Sequence, residues 1–149
     1  MNNILIILLL VVSSVNAQLI TNNSLSPEDL IKNVLVGSGI DISNVTFTGN
    51  AKAIGQFVGV NSNIGVDDGV ILSTGTILDH VLLTGEKNGP VGPNNNDDAG
   101  SIWNEDGDND LESLVNKITF DAAVLEFDFV PQGDTVEFEY VFASEEYLE

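Results

Sequence analysis

Apolar and polar positions follow several different periods along this chain, and each period predicts a different element. Residues 4–12 are an unbroken apolar run, followed by Ser13, Ser14 and a small-residue site at Val15-Asn16-Ala17. That is the layout of a secretory signal peptide. The run is too short for a membrane helix, which needs roughly 20 apolar residues. Only the α-amino group supplies positive charge ahead of it, because Met1-Asn2-Asn3 contains no lysine or arginine. The expected division is a leader over residues 1–17 and an exported mature chain over residues 18–149, with no membrane insertion after cleavage.

Next comes a helix start. Ser26 is a hydroxyl N-cap, Pro27 suits the first helical position, and Glu28 and Asp29 face the positive first turn. Leu30, Ile31, Val34 and Leu35 recur at helical spacing, and Gly37 fits the position just past the end. The prediction is a helix of about ten residues that caps a sheet.

From Gly39 the period shortens to that of strands. Ile40, Ile42, Val45 and Phe47 are separated by polar residues, and Val70-Ile71-Leu72 is a short apolar run between Asp68-Gly69 and Thr74-Gly75. Recurring glycines between such runs suit short strands joined by tight turns. Residues 77–83 are compatible with helix or strand. Residues 86–110 form a long polar stretch whose only large apolar residues are Val91, Ile102 and Trp103. A loop of that length in a compact domain usually has a function or a bound ion. One or two helical turns are expected over residues 110–115.

The sharpest alternation lies near the end. Leu125, Phe127 and Phe129 alternate with Glu126 and Asp128; after Pro131-Gln132-Gly133-Asp134, Val136, Phe138, Tyr140 and Phe142 alternate with Glu137 and Glu139. Two such runs around a Pro/Gly turn predict an antiparallel hairpin. Pairing Val130 with Thr135 would set Phe129 opposite Val136, Phe127 opposite Phe138 and Leu125 opposite Tyr140. It would also set Asp128 opposite Glu137 and Glu126 opposite Glu139, a ladder of like charges that is destabilising. The aromatic face would need a cover from polypeptide beyond Glu149, so the expectation is a domain incomplete at its C-terminus.

Charge narrows the partners. The 149 residues carry 23 acids against four lysines and no arginine, for a net charge of −19. Sixteen of the acids and only one lysine fall in residues 94–149, which hold a net −15. Without a basic patch there is nothing to neutralise phosphates, which excludes nucleic acid and anionic lipid headgroups as partners. With no cysteine, disulfides, thiolate zinc sites and cysteine nucleophiles are excluded together. The natural small partner of such a chain is a cation.

Two segments concentrate oxygen ligands: Asn94-Asn95-Asn96-Asp97-Asp98, and Asn104-Glu105-Asp106-Gly107-Asp108-Asn109-Asp110. Calcium takes six to eight oxygens from loops of this kind, which makes Asp97, Asp98, Asn104, Asp106, Asp108 and Asp110 the candidate Ca²⁺ ligands. The loop is not an EF-hand. Counting from Asn104, the glycine position holds Asn109 and the terminal glutamate position holds Val115. The plainer alternative is that these residues populate a solvated loop and that Asp108 or Asp110 caps the short helix.

Catalytic constellations are thin. Glu145-Glu146 with Glu126 and Asp128 invites a glycosidase reading, but adjacent strand residues point to opposite faces, so Glu145 and Glu146 cannot be the pair. Gly-x-Ser-x-Gly is absent, and His80 is the only histidine. A dinucleotide fingerprint lacks its third glycine.

Several segments resemble the choice-of-anchor L domain. They are Ala53-Ile54-Gly55, Asn61-Ser62-Asn63-Ile64-Gly65, Gly69-Val70-Ile71-Leu72-Ser73-Thr74-Gly75, Gly107-Asp108-Asn109-Asp110-Leu111, the run from Asp121 to Pro131, and Tyr140-Val141-Phe142-Ala143-Ser144-Glu145-Glu146-Tyr147, together with residues 30–36. The resemblance spans nearly all of the mature chain. Leu148 stands where members often have proline. The resemblance implies a secreted or cell-surface bacterial protein, with the remainder of its own domain lying past this chain. The fold expected from both lines is all-β, an antiparallel β-sandwich-like module with a short N-terminal capping helix. The expected function is non-catalytic: a structural or ligand-presenting module, adhesive toward a surface glycan or protein, and calcium-stabilised. The competing class is an acidic secreted hydrolase acting on glycans.

Overall fold

A computed structural model describes residues 19–37, 39–59, 62, 64–77 and 105–143. The expected leader, most of the long polar stretch, His80 and the Glu145-Glu146 pair lie outside the described residues. The described chain is of the all-β class, with antiparallel sheets and two short helices.

The first helix forms as its sequence dictates. Ser26 sits in extended conformation, and its hydroxyl accepts from the Asp29 amide at 3.1 Å, capping α1 (Pro27–Leu30). The chain then widens into a π turn over Ile31–Leu35, closed by the Val36 amide donating to the Ile31 carbonyl at 3.0 Å. Gly37 takes the left-handed conformation, φ 71°, that ends helices at low steric cost. Leu30 and Ile31 are wholly buried and, with Ala53, Ile54 and Ile77, make the core. The helical segment contacts both sheets, since α1 packs on β2 (Asp41–Thr48) and β3 (Ile54–Val58), and the π turn on β4 (Asp68–Leu72).

One sheet has three strands, with β3 between β1 (Ile20–Asn22) and β4. Ile20 pairs with Val58 on one side of β3, and Ile54 with Leu72 on the other. The Thr21 hydroxyl donates to the Ile77 carbonyl, fastening the chain after β4 to the outer strand.

The second sheet pairs β2 with β5 (Val124–Val130), and here one expectation is corrected. The alternation over residues 124–130 is a strand, but its partner is β2, not residues 136–142. Those residues form no strand, and their apolar side chains are exposed, Tyr140 and Phe142 to 85%. Phe138 meets Phe129 edge-on at 6.4 Å, where the hairpin register would have set it against Phe127. Charge gives the physical reason. In the observed register Asp128 lies opposite Ser43 and Glu126 opposite Thr46, and Asn44 donates to the Asp128 carboxylate at 2.6 Å. Neutral partners thus line the paired edge of β5, while its other edge carries no strand among the described residues, where the hairpin would have set like charges opposite one another.

The same sheet explains an irregular spacing. Between Ile42 and Val45 the apolar interval is three residues, where a flat strand needs two. The register shifts between Ser43 and Thr46, and Asn44 sits at φ 53°. This β-bulge absorbs the extra residue and returns Val45 and Phe47 to the half-buried side of Ile42. Asn44→Ala is expected to cost about 1–2 kcal/mol, from left-handed strain on an alanine and loss of the Asp128 contact. Asn44→Gly should retain most of the stability. Paired denaturant melts of the two variants check this.

Candidate functional site

The acid-rich segment is described from Glu105 onward, and its residues are tied to residues 119–122, just ahead of β5. Asp106 bridges Phe120 in antiparallel fashion. The Asp121 amide donates to the Glu105 carbonyl at 3.1 Å, and the Ala122 amide to the Asp106 carbonyl at 3.2 Å. Gly107 is required between them, because a Cβ there would collide with the Thr119 backbone and hydroxyl.

Helix α2 (Asn109–Val115) starts at Asp108, whose Oδ1 accepts from the Leu111 amide at 2.7 Å. The Thr119 hydroxyl joins the two ends of this turn. It accepts from the Asp108 amide at 3.0 Å and donates to Glu112 Oε1 at 3.2 Å, while the Thr119 amide donates to the same oxygen at 2.8 Å. Asn116 closes α2 in the left-handed conformation. From the other side, Asn50 donates to Glu105 Oε1 at 3.0 Å, linking the segment to the turn between β2 and β3.

Of the candidate calcium ligands, Asp97, Asp98 and Asn104 lie outside the described residues. Asp108 is the cap of α2, the alternative role that sequence reasoning kept beside the ligand role. Asp110 is exposed in the first helical turn, and Asp106 is exposed with its backbone held by Phe120 and Ala122. Among the described residues no three acidic or histidine side chains gather as a metal-binding set.

Asp121 is the residue that sequence reasoning missed. It is only 2% exposed and adopts φ 52°. Its Oδ1 accepts from the Glu105 amide at 2.7 Å, whereas the buried Oδ2 has no hydrogen-bond partner among the described residues. The available signal was weak: an aspartate just before a strand, separated by fifteen residues from the loop it closes. Glu126 and Asp128, the two described members of the acidic set considered for glycan chemistry, stand exposed on β5, and Asp128 is held by Asn44.

Antiparallel sheets, a capping helix and acids built into turns and caps define an all-β module. The chain belongs to the choice-of-anchor L domain family, which it matches over residues 17–149. It is therefore a module of secreted and surface proteins. No curated protein and no solved structure matches the chain.

Proposed function

We propose that this chain is a non-catalytic extracellular module, structural or ligand-presenting, exported by residues 1–17 and stabilised by calcium in its acid-rich loop. The observation that carries the reading is the family match over residues 17–149 on an antiparallel all-β fold. Calcium is supported by the net −15 of residues 94–149 and by the lack of cysteine. A secreted domain without disulfides needs another source of stability. Adhesion to a surface glycan or protein is the form of presentation proposed, and the exposed Phe138, Tyr140 and Phe142 offer aromatic contact area for it.

The test against the hydrolase reading is a panel of neutral and acidic glycans incubated with the full chain. No turnover above the uncatalysed rate is expected. Turnover that vanishes when a single carboxylate is changed to its amide would overturn the non-catalytic assignment.

A further inference from the structure

We propose that residues 136–143 pair edge to edge, antiparallel and about a two-fold axis, with the same residues of a second copy of this chain. This rests on the adhesive reading above and names what its exposed rings meet. Val136, Phe138, Tyr140 and Phe142 alternate with Glu137, Glu139 and Val141, the period of a strand. Yet residues 136–143 form no strand, all are exposed, and among the described residues they take part in no backbone hydrogen bond. A row of open amides and carbonyls beside exposed apolar side chains is a template for pairing with another strand.

Charge selects the partner. Strand β5 of the same chain, whose Phe129 already meets Phe138, would set Asp128 opposite Glu137 and Glu126 opposite Glu139. Those are two like-charge pairs. A second copy removes both. With Tyr140 on the two-fold axis it faces its own counterpart, Phe138 faces Phe142, Glu139 faces Val141 and Glu137 faces Ala143, so no carboxylate lies opposite another. The rings of both copies then share one face, where aromatic cross-strand pairs are favourable. The register is specific. Moving the axis to Glu139 sets that residue against itself, and moving it to Phe138 sets Glu137 against Glu139. Two-fold pairing uses the same patch on both copies and closes at the dimer.

Area sets the strength. Phe138, Tyr140 and Phe142 are exposed by 58%, 85% and 85%. An aromatic side chain buries roughly 150–250 Å² when fully covered, and a two-stranded ribbon covers about half of each ring, so the six rings give on the order of 600 Å². That is below the roughly 1,200 Å² of a stable complex, which makes the dimer weak. Each copy also brings a net charge of −19. Screening relieves that repulsion, so salt strengthens the dimer. A basic partner would show the reverse.

The test is sedimentation equilibrium of the full chain from about 5 to 500 µM, in roughly 50 and 500 mM sodium chloride. A monomer–dimer equilibrium is expected that tightens several-fold in the higher salt. Tyr140→Glu sets two carboxylates face to face on the axis and should weaken the dimer by roughly tenfold or more. Because the chain has no cysteine, single thiols report the register. Tyr140→Cys should form a disulfide-linked dimer roughly tenfold faster than Glu139→Cys, since only position 140 lies opposite itself within the span of a disulfide. Equal rates contradict pairing about Tyr140, and association that weakens with salt contradicts the pairing of two acidic strands. A chain that stays monomeric at the highest concentration overturns the proposal, and its retention on a glycan array would leave the adhesive reading standing without it. A monomer that instead binds a Lys-Val repeat peptide overturns self-pairing in favour of a basic partner.

Discussion

Leu30→Ala is expected to destabilise the chain by about 2–5 kcal/mol, the range for deleting a fully buried leucine side chain. Leu30 is wholly buried where the capping helix meets both sheets, and among the described residues only Ile31 and Ile77 are large apolar side chains buried as completely. A domain of this size has roughly 5–15 kcal/mol in total, so the loss removes a large fraction of it. The neighbouring Leu35 is 39% exposed at the end of the π turn. Leu35→Ala should cost under about 1 kcal/mol. Urea melts of the two variants separate core packing from helix propensity, since both substitutions favour helix equally. Similar losses in both would mean that the helix does not dock as described.

Gly55→Ala should be nearly as damaging, for the opposite reason. Gly55 lies in β3, the central strand of its sheet, and a Cβ there would collide with the Asn22 carbonyl oxygen and with the tip of Ile77. One obstacle is the backbone of the paired strand β1, which cannot turn aside as a side chain can. Overpacking of this kind typically costs about 1–3 kcal/mol and at times more. A Gly65→Ala control separates the two effects that glycine substitutions mix. Gly65 has open space around its α-carbon but φ 84°, so its substitution carries backbone strain without collision. Lost protection of the β1 and β3 amides in Gly55→Ala alone, measured by hydrogen exchange, is the expected signature.

Local signals were the legible part of this fold. The Ser26-Pro27 start, Gly37 at the helix end, the apolar positions of β2 and β5, and the short turns of α2 all depend on residues close in sequence, and all are present. Strand pairing was not legible to the same degree. A nearby run with matching alternation suggested a hairpin, yet β5 pairs with a strand more than seventy residues earlier, where Ser43, Asn44 and Thr46 offer neutral partners to its acids. The clash of Asp128 with Glu137 and Glu126 with Glu139 was visible in the sequence and was the clue against the hairpin. Two strands gave little signal of their own. β1 has three residues, and β3 carries a glycine inside an otherwise apolar and polar mix.

The candidate site divides along the same line. Capping by Asp108 follows from its position before a helical pattern, and the structure places it there. The state of Asp121 depends on burial and on a backbone seam between residues far apart in sequence, and no spacing rule reports either. Aspartates in a polar stretch look alike until the fold assigns one to a cap, another to solvent and a third to the interior.

Calcium dependence of stability is the most direct measure of the account as a whole. With an affinity in the range of extracellular modules, a dissociation constant of about 0.1–1 mM, 10 mM calcium contributes roughly 1.4–2.7 kcal/mol. That corresponds to a rise of about 3–10 °C in the melting temperature of a domain of this length. The predicted result is such a rise in calcium over EDTA, absent when sodium chloride of equal ionic strength is used instead. Equal melting temperatures in all three buffers would contradict it.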